Sequence, residues 1–328
     1  MSARAQASPG PQTADDADPA FLQDVLAGLS QPRKAIPARW FYDRRGSELF
    51  EEITRLPEYY PTRTEAALLA RHAGEVGSVV GAGRAVVEFG SGSSAKTPAL
   101  LSAIAPAAYV PIDISGDFLR QSAAELGERF PDLPVLPVEA NFMTPVSLPA
   151  EVAGLPKLGF FPGSTIGNLV PRSGVDLLRG MIETLGIGAS LLIGMDRVKG
   201  PEVLIPAYDD AAGVTARFNL NLLERINREL DGDIPVDGFR HRARWNDPWS
   251  RIEMHLEATR NVSFRVAGRP FTLQAGETIH TENSHKYDGR SARQLLAAGG
   301  WTPVAEWTDE AELFSLVLAE ARPEPAAP

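Results

Sequence analysis

The sequence contains no cysteine and only five histidines among its 328 residues. The first absence excludes disulfides, thiolate nucleophiles, zinc fingers and cysteine-ligated clusters. The second leaves little for a histidine-built metal centre. There is no HExxH and no spacing that sets histidines among carboxylates, so no metal is expected. No apolar run approaches the roughly 18 residues that cross a bilayer. The opening stretch MSARAQASPGPQTADDADPA has no apolar core to serve as a secretory leader. The cytoplasm is therefore the expected compartment, with no membrane partner. An excess of positive charge is also lacking. Against 42 Asp+Glu stand 32 Lys+Arg, a net charge of −10 with a pI near 5.1, which argues against a nucleic-acid partner. What is present is ordinary: 44% hydrophobic and 23% charged, in a chain long enough for one large domain or two modest ones.

Residues 1–17 and the closing ARPEPAAP are rich in Ala, Pro and polar residues and are expected to be disordered. Asp18-Pro19 reads as a helix N-cap with proline at the first helical position, and Phe21, Val25 and Leu26 form a stripe behind it. A second helix is expected over Ser47–Leu56. Pro57 and Pro61 bracket an irregular or extended EYY, and Thr62-x-x-Glu65 reads as a capping box opening the next helix. From residue 85 the period changes. AVVEF (85–89), AYVPID (108–113), LPVLPVEAN (133–141), KLGFFPG (157–163) and ASLLIGMD (189–196) are strand candidates. They alternate with helices at about 96–105, from Ser115 to about Phe130, and over PRSGVDLLRGMIETLG, which suggests βαβ units and a parallel sheet. Residues 197–287 break that rhythm with a long helical segment over about 201–230 and then alternating strands. RIEMHLEA sets Ile252, Met254, Leu256 and Ala258 on one face, and TIHTENSHKY does the same for Thr278, His280, Glu282 and Ser284. RSARQLLAAGG reads as a short helix ended by glycines, and TPVAEWTD and LFSLVLAEA as two closing strands. The reading is α/β: a doubly wound core with a second lobe built from about 197–287 and the N-terminal helices.

The first chemistry-bearing segment is VVEFGSGSSAKT. Gly90-x-Gly92-x-x-Ala95 follows a strand and precedes a helix, so its backbone can approach a ligand closely. Asp113 ends the next strand, where a ribose-hydroxyl acceptor belongs. Three ligands compete. A nicotinamide dinucleotide fits the glycines but sets Glu88 beside a pyrophosphate. A P-loop nucleotide needs a second glycine where Ala95 stands. S-adenosylmethionine carries a sulfonium and no phosphate, so the acidic residues suit it. A tight βα turn with no ligand at all is the bland reading.

Longer strings resolve the choice by resemblance. FYDRRGSELFEEITRLPEYYPTRTE, VEFGSGSSAKT, YVPIDISGDFL, FFPGSTIGN, YDDAAGVTARFNLNLLERINREL, SRIEMHL and ETIHTENSHKY together resemble the histidine-specific Nα-methyltransferase family of ergothioneine biosynthesis, over about residues 35–320. The resemblance implies transfer of three methyl groups from S-adenosyl-L-methionine to the α-amine of L-histidine, giving hercynine. It also implies a class I, Rossmann-like methyltransferase core with a second, α+β substrate-binding lobe. The expected division is residues 62–196 and 288–322 for the core, and 18–61 with 197–287 for the lobe.

Site roles carry over by position. Glu88, Gly90, Ser91, Gly92 and Lys96 match the cofactor loop, and Asp113 the ribose ligand. Asn141-Phe142 stands where the family more often has an aspartate before the phenylalanine, so weaker cofactor binding is expected. Tyr42, Phe50, Tyr59, Gly163, Thr165, Asn168 and Tyr208 match the amino-acid pocket. Glu282 and Ser284 match the pair that holds the imidazole, with Met254 lining the same side. Tyr42 and Asn168 are the catalytic candidates: a hydroxyl to relay the proton lost between rounds, and an amide to hold the amino or carboxylate group. Tyr42, Phe50 and Tyr59 suit the quaternary ammonium product, since such cations favour aromatic faces.

Bland readings stand beside these. Met254 alternates with Ile252 and Leu256 as a core residue would; Phe50 sits equally well in a helix core; Glu282 can be a solvated strand residue; His285 is expected to be structural. A rival acceptor is tryptophan or another aromatic amine, which Glu282 and Met254 disfavour, an indole ring having one donor and no acceptor. A rival class is a catalytically silent cofactor-binding module. The expected state is a monomer.

Overall fold

The computed structural model describes residues 18–92 and 96–323. Both tails expected to be disordered lie outside these, apart from Ala321–Pro323. In chain order the elements are α1 (Pro19–Leu29), α2 (Arg44–Thr54), α3 (Tyr60–Val80), β1 (Ala85–Phe89), α4 (Thr97–Ile104), β2 (Ala108–Asp113), α5 (Gly116–Arg129), β3 (Val138–Glu139), β4 (Lys157–Phe161), α6 (Pro171–Leu185) and β5 (Ser190–Asp196). There follow α7 (Pro201–Tyr208), α8 (Val214–Glu229), β6 (Phe239–Asn246), β7 (Arg251–Ala258), β8 (Val262–Val266), β9 (Arg269–Leu273), β10 (Thr278–His285), α9 (Gly289–Ala298), β11 (Trp301–Thr308) and β12 (Phe314–Ala321).

The chain divides into two compact units. Of the described residues, one takes those of Tyr60–Lys199, Trp249–Arg251 and 284–323; the other takes 18–59 with Gly200–Pro248 and Ile252–Asn283.

The first unit is built on a seven-stranded sheet of order β11-β12-β5-β4-β1-β2-β3. β3, β2, β1, β4 and β5 run parallel; β12 is antiparallel to β5 and pairs with β11 at the edge. The central strands β1, β4 and β5 are covered on both faces, which is why AVVEF, KLGFF and SLLIGMD are mostly apolar runs rather than alternating ones. One face buries Leu177, Leu178 and Met181 of α6, Leu296 of α9 and Trp301. The other buries Leu68 and Leu69 of α3 and Leu100, Leu101 and Ile104 of α4. Truncating one such leucine to alanine costs about 2–5 kcal/mol. Strand order reverses between β1 and β4, the point in a doubly wound sheet where ligands bind at the carboxyl ends of the strands. This is a Rossmann-like, doubly wound architecture, as the resemblance implies for the core.

The second unit carries α1, α2, α7 and α8, a three-stranded sheet of order β10-β7-β6 and the hairpin β8-β9. The segment before α2 adds to the edge of β10: Ala35 bridges His280, with Ile36 N donating to His280 O at 2.9 Å.

Several local expectations are met by their own chemistry. Asp18 caps α1 by accepting from Ala20 N at 2.8 Å. Others are corrected. α2 starts at Arg44 rather than Ser47, because Asp43 caps it from Gly46 N at 2.7 Å. α3 begins at Tyr60, so Tyr60 and Pro61 are helical and Thr62-x-x-Glu65 is no capping box; proline is tolerated in a first turn, where its missing N–H has no partner to lose. The strand over 133–141 shrinks to Val138–Glu139, since Pro134 and Pro137 donate nothing to a ladder. The helix over 201–230 is two. Between them Asp210 accepts from Val214 N and Thr215 N, at 2.9 and 2.8 Å, and Gly213 adopts φ +68°. Ser115 precedes α5 without capping it through its side chain; its N–H donates instead to Asp113 at 3.0 Å.

Candidate functional site

In the sheet-bearing unit the candidate cofactor residues converge on the ends of β1 and β2. The chain leaves β1 through Gly90 at φ +74°, and the N–H groups of Gly90 and Ser91 both donate to Ile112 O. A Cβ on Gly90 would lie 3.2 Å from the Phe142 ring, so this glycine is required by conformation and by close approach. Gly92 N donates to Asp113 Oδ2 at 3.0 Å, which joins the loop to β2. Ser91 is buried, and its hydroxyl has no hydrogen-bond partner among the described residues. Such an orphaned polar atom in a glycine-rich turn fits a loop shaped around a polar ligand. Asn141 is exposed and its Oδ1 accepts from Met143 N at 3.1 Å; Phe142 packs edge-on to Phe161.

Glu88 is 2% exposed and faces inward. Its carboxylate accepts from Thr97 Oγ1 at 2.7 Å and Tyr109 OH at 2.5 Å, so it braces the loop from behind. Burial pushes its pKa up to about 7, against the two hydroxyls and Lys96, which lower it. Lys96 pairs with Glu65, a fully buried residue of α3 that sequence reasoning assigned only to a cap. Glu65 also accepts from Gly163 N at 2.9 Å and so ties the cofactor loop to the loop after β4. Nothing local to its helix marks this role. Around the loop stand three carboxylates, Glu65, Glu88 and Asp113, and one ammonium, Lys96.

The loop after β4 carries Gly163, Thr165 and Asn168. Gly163 and Ser164 have φ of +78° and +56°, and Thr165–Asn168 forms a single 3₁₀ turn. Ser164 Oγ accepts from Asp196 N at 2.9 Å. Asp196, buried at the end of β5, accepts from Tyr60 OH at 2.8 Å and from Lys199 and Lys286, each at 2.6 Å. Lys286 also donates to Ser284 at 2.7 Å. Burial lowers the Lys199 pKa to about 8 despite Asp196 beside it. Tyr60 and Lys286 lie within strings that carry the resemblance, but the sequence assigns no role to them or to Asp196 and Lys199.

In the other unit, Tyr42, Phe50, Tyr59 and Tyr208 do come together. Their rings meet edge to face in a chain, with centroids 5.6, 6.3 and 6.1 Å apart. Phe218 of α8, absent from the sequence candidates, touches both Tyr42 and Phe50 at 5.8 and 6.1 Å. Tyr42 is held by its neighbours. Asp43 accepts from Asn221 at 2.9 Å and from Arg228 at 2.6 Å, and a Cβ on Gly46 would stand 1.7 Å from Phe41 O. His241 fixes Tyr208: its Nε2 donates to Tyr208 O at 2.7 Å while Nδ1 accepts from Asn219 at 2.8 Å, and burial lowers its pKa.

Glu282 is half-buried on β10, two residues before Ser284. His280 stacks on His255 at 4.8 Å, so both project from one face of the β10-β7-β6 sheet. Met254, next to His255 on β7, therefore projects from the other face and is 2% exposed, as a core residue is. Glu253, His255 and His280 are grouped closely enough to suggest a cation site. The near-parallel rings, 20° apart, do not converge as two imidazole lone pairs on one ion must. His255 instead bonds Glu253 at 3.1 Å, and burial with the neighbouring His280 pushes its pKa down to about 4. His285 lies against Trp249 O at 3.1 Å, a structural contact. Among the described residues no helix is long and apolar enough to cross a membrane.

The profile of a family described as histidine-specific methyltransferase, SAM-dependent, matches residues 21–321. A histidine N-alpha-methyltransferase of Mycolicibacterium smegmatis is 43% identical, over 93% of this chain and 96% of that protein. Its namesake from Mycobacterium tuberculosis is 42% identical over 92% and 94%. A 4-dimethylallyltryptophan N-methyltransferase of Claviceps fusiformis is 24% identical, over 87% and 88%.

Proposed function

Because the chain belongs to the family of S-adenosylmethionine-dependent histidine-specific methyltransferases, we propose that it transfers three methyl groups from S-adenosyl-L-methionine to the α-amine of L-histidine, forming hercynine for ergothioneine biosynthesis. The observation that carries the donor chemistry is the charge around the β1 loop. Asp113 at the end of β2, and the Glu65 carboxylate that pairs Lys96, oppose a pyrophosphate and favour a sulfonium. When bound, the donor supplies an electrophilic methyl group.

The chain's residues do the rest. Gly90, Ser91 and Gly92 present backbone and a buried hydroxyl to the donor, Asp113 takes the ribose, Asn141 and Phe142 take the adenine, and Glu88 and Lys96 hold the loop in shape. The amino acid is bound through Gly163, Thr165 and Asn168 after β4 and through the ring chain of Tyr42, Phe50, Tyr59 and Tyr208. Asn168 holds its amino or carboxylate group without adding charge. The nitrogen lone pair must point at the methyl carbon, and orienting two reactants is worth roughly 7–11 kcal/mol. Each of the first two methylations leaves a proton that must depart before the next, and Tyr42 relays it. The growing positive charge on nitrogen then lies against aromatic faces. Glu282 and Ser284 address the two ring nitrogens. The protein acts as a monomer in the cytoplasm, without nucleic acid.

Incubation with S-adenosylmethionine and each amino acid in turn, read by mass spectrometry, tests this. A gain of three methyl masses on histidine alone is expected. Product on tryptophan alone would replace the acceptor, and no product with any amino acid would replace the enzyme by a cofactor-binding module.

A further inference from the structure

Glu65 is fully buried on α3, and its carboxylate rests on β5. A Cβ on Gly194 would stand 2.0 Å from Glu65 Oε1, so the glycine that follows Leu191, Leu192 and Ile193 in that strand is what admits it. A buried carboxylate persists only when its charge is paired and its oxygens are bonded. Groups from two different loops meet these conditions. Gly163 N, after β4, donates to Oε1 and Oε2 at 3.0 and 2.9 Å, and the Lys96 ammonium, immediately before α4, pairs with Oε2. Lys96 reaches toward the loop after β4: a Cβ on Gly163 would lie 3.8 Å from its Nζ. The next residue, Thr97, holds Glu88 of β1 at 2.7 Å. One carboxylate therefore fixes both loops where strand order reverses, and all of these residues belong to the sheet-bearing unit.

We propose that Glu65 is a positioning residue for methyl transfer: it ties the β1 loop and the loop after β4 to one point of the sheet, and so sets the distance between the methyl carbon and the acceptor nitrogen. The inference rests on the reading that the β1 loop holds the donor and that Gly163 and its neighbours hold the amino acid. Methyl transfer forms an N–C bond while the C–S bond breaks, with the bonding pair leaving on sulfur. Its rate depends on alignment, and a misplacement of about 1 Å can cost roughly a hundredfold. Glu65 acts in this way without touching either substrate. A glutamine in its place keeps the size but turns an NH2 group toward Lys96 or the Gly163 N–H, both of which are donors. The tie then loosens while both loops keep their sequence.

The experiment compares Glu65→Gln and Gly194→Ala with the unaltered full-length protein. The second variant crowds the carboxylate without altering either loop. The readouts are affinity for S-adenosylhomocysteine by calorimetry, the histidine KM, and the single-turnover rate of the first methylation with both substrates saturating. The rate is expected to fall by roughly tenfold or more in each variant, with donor affinity and histidine KM within a few-fold. A purely structural role would lower the melting temperature and leave the rate per folded protein unchanged, which would overturn the proposal. A donor affinity that falls as far as the rate would also overturn it, since Glu65 would then serve binding and not alignment. Should neither variant fold, hydrogen exchange of the Gly163 amide in the unaltered protein decides. Equal protection with and without S-adenosylhomocysteine is expected, because Glu65 rather than a ligand engages that amide; free exchange until the ligand is added overturns the tie. If the unaltered protein transfers no methyl group to histidine, it is the underlying reading that has failed, and the protection of the Gly163 amide is a separate outcome.

Discussion

The two groups of candidate residues are built on opposite plans. The β1 loop is local: Glu88 to Lys96 and Asp113 fall within 26 residues, and its shape depends on backbone, two positive-φ glycines and N–H groups bound to Ile112 and Asp113. The aromatic group is assembled from Tyr42, Phe50 and Tyr59 of the N-terminal segment with Tyr208 of α7 and Phe218 of α8, and its rings pack on one another over long sequence separations. A site made of backbone tolerates almost no change at a few positions. A site made of packed rings spreads its tolerance over many.

The sharpest way to break this contrast is Gly90→Ala. The substitution must either leave φ +74° or press on Phe142. We expect binding of S-adenosylhomocysteine, read by calorimetry, to weaken by at least about a hundredfold. Binding within a few-fold of the unaltered protein would show that the loop is not the donor site. In the ring group, by contrast, Phe50→Leu preserves apolar volume and should raise the histidine KM only several-fold.

The next effect lies at Glu282. Its replacement by alanine removes the acceptor for the ring N–H, and histidine kcat/KM should fall by roughly tenfold or more with donor affinity unchanged. Unaltered histidine turnover and affinity would remove Glu282 from the site.

Legibility follows the same divide. β1, β2, β4, β5 and the glycine loop were readable because a strand, a turn and a helix start each obey rules within a few residues. The Asp18 cap was readable for the same reason. The break at Asp209–Gly213 is harder to read, although Asp and Gly are capping and turn residues, because it spans only five residues between two helical stretches; the Asp210 bonds to Val214 N and Thr215 N and the positive φ of Gly213 mark it. Glu65 looked like a local cap, yet its partners Gly163 and Lys96 are 98 and 31 residues away. Phe218 looked like any helix core residue. Lys286 and Asp196 stand 90 residues apart, and the sequence assigns neither a role. Resemblance named the candidate ligand-facing residues; the residues that brace them emerged only from the three-dimensional contacts.

His241 tests whether the ring group needs such bracing. His241→Ala removes one bond to the Tyr208 carbonyl and one to Asn219. The expected loss is about 1–3 kcal/mol of stability, with a histidine KM raised several-fold and donor affinity unchanged. A stability loss with an unchanged KM would mean that the position of Tyr208 does not depend on this histidine.

The smallest effect separates bracing from binding on the loop side. Glu88 is protonated up to about pH 7 in the folded chain because burial disfavours its charge, whereas an unfolded glutamate gives up its proton near about pH 4.3. Between those values the native state holds a proton that the unfolded chain has lost, so stability falls as pH rises through this window and is fully present below it. Glu88→Gln removes the titration while keeping a side chain that accepts from Thr97 and Tyr109. The variant's melting temperature should therefore decline less than that of the unaltered protein between about pH 4.5 and 7, by a few degrees. Its donor affinity should stay within a few-fold, because an inward-facing brace has been changed and not a ligand contact. An equal decline in both proteins would show that Glu88 does not titrate there. A large loss of donor affinity with a normal melting profile would instead make its charge part of the binding site.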